Sequence, residues 1–133
     1  MTSNPEQSER LLALAERCES ADPAAPNIDL HMEILRAMGW TSRGAELIDP
    51  QGQRCMQTPD PLHSIDGAVA LVPDGHEWLR WGPGTMIVML PPQPGDDEKA
   101  WARHIECRGA TPALALCAAA LRARSAPLVE AEG

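Results

Sequence analysis

Apolar positions along the chain follow two periods, and the switches between them mark out the elements. Leu11, Leu14, Ala15 and Cys18 recur at three- and four-residue spacing, which puts them on one stripe of a helix. Ser3 and Glu6 stand at capping-box spacing before that stripe, with Pro5 tolerated in the first turn. Asp22-Pro23-Ala24-Ala25-Pro26 breaks the helix. A second helix is expected over 27–38, with Ile28, Ile34, Leu35 and Met38 on one side, Leu30 near its edge and Gly39 as its stop. Two short helices joined by a short loop suggest an antiparallel pair.

Residues 45–48 and 54–57 read as a weak strand pair around an Asp49-Pro50-Gln51-Gly52 turn. Ser64 caps a third helix over 64–71, with Ile65, Ala68, Val69 and Val72 as its apolar face. The strongest strand signal follows. Residues 76–81 and the run Thr85-Met86-Ile87-Val88-Met89-Leu90 flank Gly82-Pro83-Gly84, which suits a type II turn. Residues 91–98 form a Pro-rich, acidic loop. Residues 100–107 alternate as a third strand, with Trp101, Arg103 and Ile105 on one face. Thr111-Pro112 opens a last helix that runs to about residue 124, with Leu114, Cys117, Ala118 and Leu121 facing the core and a frayed tail over 126–133.

Consecutive antiparallel strands among helices define an α+β fold in one domain spanning 1–133. Its sheet has three strands, or four to five if the weak pair joins it.

Charge narrows the function classes. Nineteen acidic side chains against eleven basic ones give a net charge of −8. Phosphate backbones reward clustered Lys and Arg, so direct nucleic-acid binding is not expected. No apolar run reaches the length needed to cross a bilayer, so no membrane role is expected either. Residues 1–10 are polar and lack the apolar stretch of a signal peptide, which points to the cytoplasm. In that compartment Cys18, Cys55, Cys107 and Cys117 are expected as thiols.

Candidate chemistry is sparse. His104 and Cys107 are three apart on a strand end, a spacing that sends them to opposite faces, and no paired-ligand zinc spacing occurs. Cys55 or Cys107 would need His63, His76 or His104 brought close to act as a nucleophile. Ser64 reads as a helix cap, and Asp96-Asp97 as a solvated loop tip. Gly82-Pro83-Gly84 is too short for a phosphate loop and lacks its Lys. The expectation is therefore a protein that is not an enzyme and has no catalytic residue, metal or cofactor.

Two features suit protein binding. Phe and Tyr are absent, so Trp40, Trp78, Trp81 and Trp101 supply all the aromatic bulk. Trp78 and Trp81 lie three apart on a strand, so one faces the core and the other is free to anchor a partner. Glu6, Glu9, Glu16 and Glu19 follow the first helix, offset in part by Arg10 and Arg17, and Asp29 and Glu33 add to the second. Glu16, Glu19, Asp29, Glu33, Trp78 and Trp81 are the candidate partner-binding residues.

Three stretches also resemble a known family. Leu11-Leu12-Ala13-Leu14-Ala15-Glu16-Arg17, the segment Ser64-Ile65-Asp66-Gly67-Ala68-Val69-Ala70-Leu71-Val72-Pro73-Asp74-Gly75, and the helix Ala110-Thr111-Pro112-Ala113-Leu114-Ala115-Leu116-Cys117-Ala118-Ala119-Ala120-Leu121-Arg122-Ala123-Arg124 are similar to small phage and prophage proteins with a phage ABA sandwich domain. Gly67 stands where Ala is usual there, and Leu62-His63 where Tyr-Thr is common. The resemblance implies a phage context and an α-β-α layered fold, and it carries no catalytic residues.

The leading expectation is a small acidic phage or prophage accessory protein. It would bind a host or phage protein that has a basic surface, as an inhibitor of a host-defence or nucleic-acid-handling protein would. Two alternatives stand beside it. One is a small-molecule or nucleotide-binding module using a sheet face with His76, Trp78, Arg80, Arg103 and His104. The other is a structural component of a virion or replication complex.

Overall fold

A computed structural model describes residues 5–25, 27–44, 46–55, 60–73, 75–80, 82, 85–89 and 104–130. The fold is α+β, with four helices and two three-stranded antiparallel sheets. The chain order is α1 (Pro5–Ser20), α2 (Ile28–Ala37), β1 (Thr41–Arg43), β2 (Glu46–Ile48), β3 (Arg54–Cys55), α3 (Ile65–Val69), β4 (Glu77–Arg80), β5 (Thr85–Met89), β6 (Ile105–Arg108) and α4 (Pro112–Glu130). The weak strands do not extend the main sheet. They form a separate sheet in the order β1-β2-β3, while β4-β5-β6 is the expected hairpin plus third strand.

Local chemistry accounts for most element ends. Helix α2 stops at Gly39, whose φ of +100° favours glycine. The Gly39 N–H donates to Arg36 O at 3.1 Å and the Trp40 N–H to Leu35 O at 2.9 Å, the paired bonds of a Schellman cap. Asp49 builds the β2–β3 turn. Its Oδ1 accepts from the N–H groups of Gln51 and Gln53 at 3.0 and 2.8 Å, and the Gly52 N–H donates to Asp49 O at 2.9 Å. Ser64 Oγ caps α3 by accepting from the Gly67 N–H at 3.2 Å. Thr111 Oγ1 does the same for α4, from the Leu114 N–H at 3.2 Å. The Thr85 N–H reaches Gly82 O at 3.4 Å, closing the turn between β4 and β5.

Helix α4 is the centre of the molecule. Every residue over 113–121 is buried, as are Ala123 and Ser125. It packs on α1 more extensively than any other pair of elements meets, and it also meets α3, β5 and β6. The helix therefore packs between α1 and the β4–β6 sheet, with α3 also against it. A helix that is apolar all round belongs in a core. The expected four-residue face was too narrow, because Ala115, Leu116, Ala119 and Ala120 are fully buried as well. The helix also runs to Glu130, past the expected end near residue 124.

The remaining core comes from one face of each neighbour. Leu11, Leu14, Ala15 and Cys18 of α1 are buried, as the spacing predicts. Leu30, Ile34 and Leu35 anchor α2, but Ile28 is 66% exposed rather than part of that face. On the sheet, Met86 and Cys107 are direct cross-strand partners and both are buried. Trp78 and Ile105 pack partly buried against the same core.

Gly67 is fixed by space. A Cβ there would lie 2.4 Å from the carbonyl oxygen of Asp60. An alanine at this position would therefore collide with backbone.

Candidate interaction surface

The outer side of α1 is built by its inner one. With Leu11, Leu14, Ala15 and Cys18 against the core, helical spacing leaves Glu6, Glu9, Arg10, Ala13, Glu16, Arg17 and Ser20 exposed. Asp22 and Asp29 are exposed where α1 passes into α2. Asp22 shapes that connection, its Oδ1 accepting from the Ala24 N–H at 2.9 Å.

The six candidate partner-binding residues divide on this geometry. Glu16 and Asp29 are exposed carboxylates. Glu33 is ion-paired with Arg17, which ties α2 to α1. Glu19 accepts from the Arg122 guanidinium at 2.5 Å, with both side chains about 30% exposed, which ties α1 to α4. Those two carboxylates hold helices together, and single-sequence reading missed this because their partners lie 16 and 103 residues away. Trp78 packs on the core, so it takes the inward role of the pair. Trp81 lies outside the described residues.

The candidate nucleophiles have structural surroundings. All four cysteines are free thiols. Burial, then the Glu19 carboxylate, pushes the Cys107 thiol up to about 12, against an opposing effect of Arg122. Cys55 lies 3.6 Å from Asp49 Oδ2, and desolvation together with that carboxylate raises its pKa. Both effects disfavour the thiolate that nucleophilic chemistry needs. The Nδ1 atoms of His63 and His31 lie 3.1 and 3.9 Å from Asp60 Oδ1, and that oxygen also accepts from the His63 N–H at 3.2 Å. The carboxylate thus organises the turn before α3 and its contact with α2. Among the described residues, no group of three His, Cys, Asp or Glu side chains is placed to hold a metal ion.

The sheet face considered for a ligand carries Trp78 packed inward, with Arg103 outside the described residues. A small cleft lies elsewhere, between α2 and the β1–β2 hairpin. Met32, Leu35, Trp40 and Leu47 line it with Arg36 at its edge, and its volume of about 20 Å³ suits a water-sized group. Among the described residues no helix is long and apolar enough to cross a membrane.

No protein-family model, curated protein or solved structure matches this chain.

Proposed function

We propose that this chain is a non-enzymatic acidic accessory protein of a phage or prophage, acting in the bacterial cytoplasm by binding a host or phage protein that has a basic surface. Inhibition of a host-defence or nucleic-acid-handling protein fits that chemistry. The observation that carries the reading is the run of exposed carboxylates Glu6, Glu9, Glu16, Asp22 and Asp29 on α1 and its junction with α2. Glu6, Glu9 and Glu16 stand on a helix whose other side is locked into the core, so their charge is displayed on a rigid support. A net charge of −8 adds long-range attraction toward a basic partner. The phage context rests on the sequence resemblance alone.

The test is purification of the tagged full chain from a bacterial host at low and high salt, beside a Glu9→Lys/Glu16→Lys/Asp29→Lys variant. Glu19 and Glu33 stay intact because their ion pairs hold the helices. The expected result is one stoichiometric partner that is lost at high salt and lost with the folded variant. Partner binding unaffected by the triple reversal overturns the assignment of this face. A partner-free protein at low salt overturns the host-protein reading.

A further inference from the structure

Among the described residues α1 and α4 form the most extensive helix–helix contact, and two thiols meet within it. Cys18 of α1 and Cys117 of α4 are both fully buried, and their sulfur atoms are 3.5 Å apart in a thiol–thiol hydrogen bond. The surroundings are closed to solvent: Ala15 on α1, and Ala118 and Ala119 on α4, are also fully buried. A disulfide needs sulfur atoms about 2.05 Å apart on close backbones, so the pair must approach by roughly 1.5 Å. Rotation about the Cα–Cβ bonds moves the sulfur atoms without moving the backbone.

We infer that Cys18 and Cys117 form a redox-convertible pair, a dithiol in a reducing cytosol and a disulfide staple between α1 and α4 under oxidising conditions. The oxidant is a low-molecular-weight disulfide such as glutathione disulfide. One cysteine thiolate attacks it, forming a mixed disulfide and releasing one small thiol. The second cysteine thiolate then attacks the protein-side sulfur and expels the other small thiol. One protein dithiol and one small disulfide become one protein disulfide and two small thiols, and the two thiol protons pass to the released thiols.

The surroundings set the rate. Hydrogen bonding to Cys18, together with burial, holds the Cys117 thiol well above its ordinary range. The pair therefore stays unreactive until the α1–α4 seam opens, and oxidation follows that opening. Once formed, the link spans 99 residues of sequence, a large constraint on the unfolded chain.

The experiment uses the full chain and its C55S variant, which removes the partly exposed thiol. Both are incubated with glutathione disulfide a few degrees below the melting midpoint, then blocked, digested and mapped by mass spectrometry. The expected result is a linked peptide pair containing Cys18 and Cys117, a mass lower by about 2 Da, and a melting midpoint raised by on the order of 10 °C that reverts with dithiothreitol. C107S should give the same link. A link through Cys107, glutathione adducts in place of the link, no loss of the Cys18 and Cys117 thiols, or a lowered midpoint would each overturn the inference.

Discussion

Arg122 donates to Glu19 at 2.5 Å across the α1–α4 seam, and both charges act on the buried Cys107 thiol of β6, the carboxylate raising its pKa and the guanidinium lowering it. A cation and a carboxylate thus stand beside a neutral thiol at the margin of a largely apolar core. The arrangement joins α1, α4 and the main sheet, the three layers whose packing defines the fold.

Removing the cation from this cluster should be felt. In Arg122→Met the Glu19 carboxylate stays only 29% exposed and loses its partner. Partial solvent access moderates the cost, so a loss of about 1–3 kcal/mol is expected in urea unfolding. Equal stability for Arg122→Met and the wild type would show that water replaces the guanidinium at no cost.

The same cluster predicts a pH dependence. An ordinary thiol here ionises near 9, whereas folded Cys107 is held at about 12 by burial and then by Glu19. Above about pH 9 the unfolded chain releases this proton and the folded chain keeps it. The unfolded state then binds fewer protons, so stability falls as pH rises through that window. Below it the group contributes no slope. Urea midpoints between pH 7 and 10.5 should therefore decline more steeply for the wild type than for Cys107→Ala. Parallel declines would remove Cys107 as a cause.

Much of this architecture is legible in the sequence, and the exceptions have physical reasons. The stripe of α1, the Gly39 stop, the Ser64 and Thr111 caps and the β4–β5 hairpin all follow from local signals. The strand over Thr41–Arg43 does not, because its side chains are all exposed and polar, which leaves no alternation to detect. Ile28 fits the apolar stripe of α2 by spacing, yet it sits in the first turn, beyond the reach of the core. At the interaction surface the acidic face is visible in the sequence. What is hidden is which acids are free, since Glu19 and Glu33 find cations on other elements.

Steric fit at Gly67 gives a third prediction. The 2.4 Å approach of a Cβ to Asp60 O involves backbone on both sides, so no side-chain rotation relieves it. Gly67→Ala must displace the Asp60 turn, which also holds His63 and the start of α3. A loss of about 2 kcal/mol or more is expected in urea unfolding, in the range of overpacked core sites. Gly52→Ala offers a contrast, since nothing lies within 4 Å of a Cβ there and only its φ of +88° opposes the change. Its cost should be nearer 1 kcal/mol. Equal losses at the two sites would mean that the Asp60 turn yields to the added Cβ more readily than the 2.4 Å approach implies.

The central position of α4 can be tested with alanines alone. Ala118 is fully buried within a helix that meets α1, α3 and the sheet, so any added volume must enter space already filled. Ala118→Leu should cost about 1–3 kcal/mol by overpacking, although leucine is as apolar as the site requires. Ala13 lies on the exposed side of α1 in a helix of similar length. There the same substitution adds a side chain toward water, and its effect should stay within about 0.5 kcal/mol. Composition and helix propensity hardly distinguish the two changes, so a difference between their urea midpoints reports packing. If Ala118→Leu were as neutral as Ala13→Leu, one side of α4 would have to be open, and the order of α1, α4 and sheet would need to be redrawn.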